Sequence, residues 1–192
     1  MSEVAKDKVR RSQTGFGEFD RVIGGGLVPG QVVLVAGEPG VGKTAMYERI
    51  VAKTGFRGVY IDTPNTELGD IGIPMPNHET KTTAYYPNSR FKVHMGKPVI
   101  TMLDEFTKGA EPIKNMLHPL LEVANPRLGD ISVHPESIVF LTGNLGSDGV
   151  GDSLKAHSRN RIIPLTVSKP DADQWISWAM NNGIAPEVIA WV

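Results

Sequence analysis

The chain has 192 residues, which is long enough for one well-buried domain and short for two. Its 20 Lys and Arg residues are balanced by 21 Asp and Glu residues, so no overall positive field exists to hold a nucleic acid backbone, although a local basic groove is compatible with that balance. The absence of cysteine excludes disulfide bonds and thiolate zinc sites.

Residues 1–13 are charged and carry no apolar period, which predicts a flexible N-terminal arm. They also lack the apolar segment of a secretory signal, and no apolar run in the chain approaches the length of a membrane span. We therefore expect a cytoplasmic protein with no membrane partner. Residues 14–30 then combine a short helical stretch, Glu18 to Ile23, with a triple glycine and a Pro-Gly turn that leads into the first strand.

A glycine-rich stretch at residues 37–44 satisfies the P-loop pattern G-x-x-x-x-G-K-[ST] at every fixed position. It lies between an apolar, β-branched run, Gln31 to Ala36, and a stretch, Ala45 to Lys53, that can continue as a helix, which is the order that the motif requires. Glycines let main-chain N–H groups surround phosphate oxygens, and the positive end of the helix dipole points at the anion. The predicted nucleotide-binding residues are Gly37, Glu38, Pro39, Gly40, Val41, Gly42, Lys43, Thr44 and Ala45.

After the P-loop helix, Gly58 to Asp62 reads as a second strand. The next stretch, Thr63 to Lys97, is rich in Pro, Asn, Gly and Thr and has little periodicity, which predicts a long irregular insertion. An apolar strand, Pro98 to Leu103, follows this insertion and runs directly into two carboxylates, Asp104 and Glu105.

The two carboxylates therefore stand at the C-terminal end of a strand, which in an open α/β sheet is the edge where ligands bind. Asp104 is predicted to hold the coordination shell of Mg²⁺, usually through water, together with the hydroxyl of Thr44. Glu105 is placed to act as the general base toward an attacking water. Lys43 is expected to reach the β- and γ-phosphates of a bound triphosphate.

The later elements are a helix with one apolar face, Glu111 to Val123, a strand, Ser137 to Thr142, and a last strand, Ile162 to Val167. Strands that alternate with helices or long crossovers predict a three-layer α/β fold of the P-loop NTPase type, with a mainly parallel central sheet covered on both faces. We expect residues 14–168 to form the ATPase core. Residues 169–192, which hold all 3 tryptophans, are predicted to begin a truncated helical lid.

Three more polar side chains are candidates for catalytic roles. Asn144 follows a predicted strand and could orient the attacking water, although a turn-forming asparagine is the alternative. Arg159 and Arg161 precede the last strand and are candidate arginine fingers, in which a guanidinium neutralises charge on the transferring phosphoryl group. Such a finger commonly reaches the nucleotide of a neighbouring subunit, so it would imply an oligomer. Plain surface cations are an almost equal alternative.

Different parts of the chain resemble two different branches of the P-loop ATPases. Residues 14–44, TGFGEFDRVIGGGLVPGQVVLVAGEPGVGKT, resemble the start of the ATPase core of the RadA/Sms DNA-repair proteins and their KaiC-like relatives. From residue 37 onward the chain is similar to the MoxR-like and dynein-related AAA+ ATPases, in the segments ITMLDEF, RLGDISVHPESIVFLTGN and HSRNRIIPLTV. The adjacent Asp104 and Glu105 favour the AAA+ branch, which places these two carboxylates together.

The AAA+ resemblance implies an AAA+/RecA-like fold, here with the helical lid largely absent, and ATP hydrolysis with Mg²⁺ at the subunit interfaces of a hexameric ring. It also implies remodelling of a protein or nucleoprotein partner. It assigns the family's functional roles to Lys43, Thr44, Asp104, Glu105, Asn144 and Arg161. By analogy, Tyr85, Tyr86 and Phe91 could supply pore aromatics, although ordinary loop packing is favoured. The alternatives are a RadA-like recombination ATPase that acts on DNA and a nucleotide-binding module without turnover.

Overall fold

A computed structural model of the chain describes residues 10–122, 124–143 and 162–189. Most of the predicted N-terminal arm lies outside these ranges. The described strands are β1 (Val32–Gly37), β2 (Arg57–Asp62), β3 (Gly72–Asn77), β4 (Thr82–Pro87), β5 (Val99–Asp104), β6 (Arg127–Leu128), β7 (Ile131–Ser132), β8 (Ile138–Gly143) and β9 (Ile162–Val167). The described helices are α1 (Gly17–Val22), α2 (Lys43–Thr54), α3 (Leu68–Ile71), α4 (Glu111–Leu117), α5 (Ala172–Asn181) and α6 (Pro186–Ile189).

Five strands form one parallel sheet in the order β2-β5-β8-β1-β9. Because the strands are parallel, all five carboxyl ends lie at the same edge of the sheet. In register, Asp62 of β2 pairs with Asp104 of β5, and Ala36 of β1 pairs with Gly143 of β8. The predicted α/β architecture with a mainly parallel central sheet is confirmed.

The core lies on both faces of this sheet, because successive side chains of a strand point to opposite faces. On one face, Val33 and Val35 of β1 join a buried cluster that includes Ile50 of α2. On the other face, Leu34 of β1 joins a cluster that includes Leu117 of α4. Covering both faces with helices explains why β1 and β8 are buried along their whole length.

The insertion between β2 and β5 is not irregular, as the sequence predicted, but contains an antiparallel hairpin of β3 and β4. Two prolines concealed β3 from sequence reasoning, since proline cannot donate to a strand ladder. Pro74 and Pro76 lie two residues apart, so the N–H groups that they lack would point to the same edge of β3. The two-stranded sheet leaves one edge of β3 unpaired, and a strand tolerates proline at such an edge. Phe91, considered above as a pore aromatic, is 1% exposed and belongs to the core.

Helix α4 is shorter than the predicted helix of residues 111–123. It ends at Leu117, and a 3₁₀ turn, His118–Leu121, follows it. Pro119 accounts for the change, because it has no N–H with which to continue the helical ladder. Within the described ranges, no helix combines the length and the apolar character needed to cross a membrane. The predicted division at residue 168 stays a prediction.

Candidate functional site

The glycine-rich loop connects the carboxyl end of β1 to the first turn of α2. Gly42 precedes the helix with φ 87°, a left-handed conformation that favours glycine. A Cβ on Gly37 would lie 2.8 Å from the carbonyl oxygen of Val167 on the neighbouring strand β9. The loop therefore packs directly on β9, and the start of α2 has no side-chain cap. Its first N–H groups suit an anion.

Lys43 extends back across the loop from the first turn of α2. Its ammonium donates hydrogen bonds to the carbonyl oxygens of Gly37 at 2.8 Å and Glu38 at 3.3 Å. Burial lowers the pKa of Lys43, and the charges of Asp104 and Glu105 act in the opposite direction. The two carboxylates are therefore near enough to Lys43 to influence its charge. Thr44, the next residue of α2, is exposed.

Asp104 is the last residue of β5, and both of its carboxylate oxygens accept hydrogen bonds. Oδ1 accepts one from the hydroxyl of Thr142 on β8. Oδ2 accepts one from the hydroxyl of Tyr60 on β2 at 2.7 Å. This bond to Asp104 raises the pKa of Tyr60, so the phenol keeps its proton and acts as the donor. Asp104 is thereby held from the strands on both sides of its own.

Glu105 adopts an unusual backbone conformation immediately after β5. Its φ is 47°, in the left-handed region that non-glycine residues rarely occupy. Its amide donates to the Thr142 hydroxyl at 2.8 Å, and its carboxylate pairs with Lys108 at 3.0 Å. The same hydroxyl of Thr142 therefore links both acidic residues. A strained residue that is fixed by several contacts is typical of functional sites.

The oxygen donors at this edge fit Mg²⁺, which prefers carboxylate and hydroxyl oxygens together with water and phosphate. Asp104 and Thr44 are the two protein groups of this kind that the sequence assigned to the metal. Across residues 10–122, 124–143 and 162–189, no cluster of three or more His, Cys, Asp or Glu side chains could hold a metal ion. That donor set suits an ion bound jointly with phosphates rather than in an all-protein cage.

Two cavities adjoin the glycine-rich loop on its outer side. One, of about 570 Å³, lies between α1, α2 and β9 and includes Phe16, Met46 and Val167 in its mainly apolar wall. Arg49 stacks over the Phe16 ring at 4.9 Å from its centroid. The other, of about 580 Å³, lies between the loop and α5 and is lined by Trp175 among others.

An ion pair connects the loop to the segment between β9 and α5. Lys169 lies 2.8 Å from the carboxylate of Glu38 and lowers the pKa of that group. Both side chains are more than half exposed, so this pair contributes little to stability. It does hold the side chain of Glu38 toward Lys169. The sequence placed Glu38 in the glycine-rich loop but gave no partner for its carboxylate.

Three predicted catalytic residues, Asn144, Arg159 and Arg161, lie outside the described residues, so their roles stay predictions. Sequence reasoning missed Tyr60 and Thr142, whose hydroxyls donate to Asp104. Thr142 carried a weak signal, because it is a polar residue within a buried strand near its C-terminal end. Tyr60 carried none, because an aromatic residue in a strand is ordinary.

Comparison with known proteins gives a family match over residues 12–114, to the model described as "ATPase: KaiC". The match extends well past residue 44, where the KaiC-like resemblance ended in the sequence, and includes Asp104 and Glu105. The similarity to MoxR-like and dynein-related AAA+ ATPases stays a prediction.

Several DNA repair proteins named RadA are similar to the chain. The protein from Treponema pallidum is 25% identical over 183 residues, which cover 89% of this chain and 40% of that protein. The protein from Escherichia coli K12 is 43% identical over 53 residues, and that from Streptococcus pneumoniae R6 is 48% identical over 46 residues. These two matches cover 28% and 24% of this chain and 12% and 11% of the relatives. The chain therefore spans less than half the length of these relatives.

Among solved structures, a mutant RuvB protein of Thermotoga maritima superposes with a TM-score of 0.55. The superposition covers 85% of this chain and 46% of that one, at 17% sequence identity. At this identity the likeness shows the fold alone. It agrees with the parallel five-stranded sheet described above.

Proposed function

Because the chain belongs to the KaiC family of P-loop ATPases, we propose that it binds Mg²⁺–ATP at residues 37–45 and hydrolyses the bond between the β- and γ-phosphates. One observation carries this proposal. Lys43 follows the carboxyl end of β1, and Asp104 and Glu105 stand at the carboxyl end of β5, so distant parts of the sequence meet at one edge of the parallel sheet. Burial lowers the pKa of Lys43, and the charges of the two carboxylates oppose this effect. This is the arrangement that phosphoryl transfer with a metal requires.

In this proposal the main-chain N–H groups of the loop bind the phosphates, and Lys43 contacts the β- and γ-phosphates. Thr44 and Asp104 would hold Mg²⁺. The ion neutralises negative charge on the phosphate oxygens when it is bound. Lys43 must then exchange the carbonyl oxygens of Gly37 and Glu38 for phosphate oxygens.

Glu105 is the proposed general base. It takes a proton from a water as the water oxygen bonds to the γ-phosphorus and the bond to the β–γ bridging oxygen breaks. Its ion pair with Lys108 restricts the orientation of the carboxylate. Asn144 is proposed to orient the same water, and Arg161 or Arg159 to neutralise charge from a neighbouring subunit of a hexamer.

The nucleoside is proposed to occupy the 570 Å³ cavity between α1, α2 and β9. Its wall is mainly apolar and includes Phe16 and Met46, which suits the faces of a planar base. The cavity also includes Lys43 in its lining, so it is continuous with the proposed phosphate site.

Substitution of Lys43 and Glu105 separates binding from turnover. We expect Lys43→Ala to weaken ATP binding about 10- to 100-fold, since it removes a charge-assisted hydrogen bond. We expect Glu105→Gln to keep ATP binding and to lower turnover by at least about 100-fold, since it removes the general base. Calorimetric titration and phosphate release measure these two quantities.

Glu136→Gln is the matched control for the second substitution, because Glu136 precedes β8 at the opposite edge of the sheet. Unchanged turnover in Glu105→Gln would remove Glu105 from the mechanism. Wild-type turnover no higher than that of Lys43→Ala would instead favour a nucleotide-binding module without hydrolysis.

The proposed ATPase acts on a macromolecule, and two classes of partner are candidates. Similarity to DNA repair proteins named RadA over 183 residues favours DNA. The AAA+ resemblance favours a protein or nucleoprotein that is remodelled. The near balance of charge in the chain gives DNA no general electrostatic attraction.

Single-stranded DNA distinguishes the two candidates. A RadA-like activity predicts that turnover rises with added DNA at low salt and that this stimulation falls steeply as salt increases. The measurement is phosphate release with and without an oligonucleotide over a salt series. If added DNA does not change the rate of ATP turnover even at low salt, a protein or nucleoprotein is the favoured partner.

A further inference from the structure

Tyr60 is an exposed tyrosine on the edge strand β2, and 47% of its surface is accessible. Exposed aromatic residues are common in strands, where they favour the extended backbone. The hydroxyl of Tyr60 nevertheless has a specific partner, the Oδ2 atom of Asp104 on the adjacent strand, at 2.7 Å. The phenol therefore contacts the carboxylate that is the proposed metal ligand.

The two hydrogen bonds to Asp104 have a joint geometric effect. Thr142 donates to Oδ1 and Tyr60 donates to Oδ2. A carboxylate that is bonded at one oxygen still rotates about its Cβ–Cγ bond, whereas one bonded at both oxygens from opposite sides does not. Each carboxylate oxygen has two acceptor positions, so these two bonds use only one position on each oxygen, and the other can accept from the water ligands of a metal.

The nearby cations among the described residues make hydrogen bonds of their own. Lys108 pairs with Glu105, and Lys43 donates to main-chain carbonyls of the loop. The strands that supply the two donors flank β5 on both sides and are packed into the core. Outer groups of this kind fix the direction of a metal ligand, and their loss typically weakens metal binding about 10- to 100-fold.

We propose that Tyr60 is a positioning residue that, with Thr142, orients the Asp104 carboxylate toward the Mg²⁺ ion of bound nucleotide. The inference rests on the proposed function, because it assumes that a metal–nucleotide complex binds at this edge. It adds a residue for which neither the P-loop motif nor the Asp104-Glu105 pair gives any indication.

The test is the Mg²⁺ dependence of nucleotide binding by the full chain. A fluorescent ATP analogue is titrated with MgCl₂ for wild type, Tyr60→Phe, Thr142→Val and Thr142→Ser. We expect Tyr60→Phe and Thr142→Val each to raise the Mg²⁺ concentration for half-maximal effect about tenfold. Affinity for the analogue in EDTA should not change, and Thr142→Ser, which keeps the hydroxyl, should resemble wild type.

Two further variants make the result specific. Tyr86→Phe removes a hydroxyl from an exposed tyrosine on the hairpin, and its Mg²⁺ dependence should match that of wild type. In an Asp104→Asn background, Tyr60→Phe should add no further change, because Tyr60 acts through the carboxylate. Circular dichroism and thermal unfolding confirm that each variant is folded.

An unchanged or lower Mg²⁺ requirement in folded Tyr60→Phe would overturn the inference, as would an equal loss of affinity in EDTA. The proposed function fails separately, if wild type binds the analogue no better than Lys43→Ala does. Binding by wild type that depends on Lys43 and Mg²⁺, combined with no effect of Tyr60→Phe, would leave the function intact and remove Tyr60 from it.

Discussion

At the scale of single residues, Glu105 adopts a backbone conformation that is energetically unfavourable for a non-glycine residue. Its φ of 47° places Cβ near a carbonyl oxygen, which disfavours every residue except glycine. Two contacts, one with the Thr142 hydroxyl and one with Lys108, hold the residue where a base toward the γ-phosphate would stand. The conformation is thus a property of the site and not of an adaptable loop.

Replacing Glu105 with glycine or alanine measures this strain. Both substitutions remove the carboxylate, but only glycine adopts a positive φ without penalty. We expect Glu105→Gly to be more stable than Glu105→Ala by about 1 kcal/mol, and both to lose turnover. Urea unfolding gives the stability difference. Equal stability of the two variants would contradict a strained backbone at this position.

One part of the candidate site could be proposed from the sequence, because the chemistry of that part is local. The glycine-rich loop and Asp104-Glu105 each follow from a few adjacent residues. Tyr60 and Thr142 could not be predicted, because their roles depend on which strands flank β5. The order and register of strands in a parallel sheet cannot be deduced from the sequence of any one strand. The structural roles of Asn144, Arg159 and Arg161 stay predictions.

At the scale of elements, α2 joins the loop to the sheet through a buried tyrosine. The Tyr47 hydroxyl donates to the carbonyl oxygen of Ile100 on β5 at 3.2 Å, and only 6% of the residue is exposed. Burial raises the pKa of Tyr47 from 10.0 to about 12. The helix that begins at the proposed phosphate site is thus anchored in the core by a group that must stay neutral.

This anchor makes stability sensitive to alkaline pH. A raised pKa favours the protonated form in the folded state, so the stabilisation is complete below about pH 10 and is lost as pH rises toward 12. Between pH 9.5 and 11.5, the stability of wild type relative to Tyr47→Phe should fall by about 2 kcal/mol. Urea unfolding at each pH measures the difference. A difference that is constant over this range would show that the hydroxyl is not shielded from water.

The elements also show which parts of the fold the sequence could specify. Strands β1, β5, β8 and β9 were predicted within one or two residues. For β1, β5 and β8 the reason is that strands buried on both faces read as continuous apolar runs. The hairpin of β3 and β4 was missed for the opposite reason. Its side chains are largely exposed, so no buried face imposes an apolar pattern, and its prolines resemble those of a loop.

At the scale of the whole molecule, one parallel sheet connects the loop, both carboxylates and the core. A ligand at its edge should therefore stabilise the entire fold and not one segment. The stabilisation equals RT ln(1 + [L]/Kd) when only the folded state binds, or about 2.7 kcal/mol at 100 times Kd.

Saturating Mg²⁺–ATP should accordingly raise the melting temperature by about 5 to 10 °C for a chain of this size. Differential scanning fluorimetry with and without nucleotide measures the shift. Lys43→Ala at the same nucleotide concentration should show a clearly smaller shift. A wild-type melting temperature that does not respond to ATP and Mg²⁺ would argue against nucleotide binding by the folded chain.

The hydrogen bonds from Lys43 to the carbonyl oxygens of Gly37 and Glu38 have a consequence for affinity. In the proposed function these carbonyls compete with the phosphates, since they accept hydrogen bonds from the ammonium group that would contact the nucleotide. The net gain on binding is the difference between two sets of contacts, and it is smaller than the strength of either set. A calculation of nucleotide affinity that starts from a fully hydrated lysine side chain would therefore misjudge the contribution of Lys43.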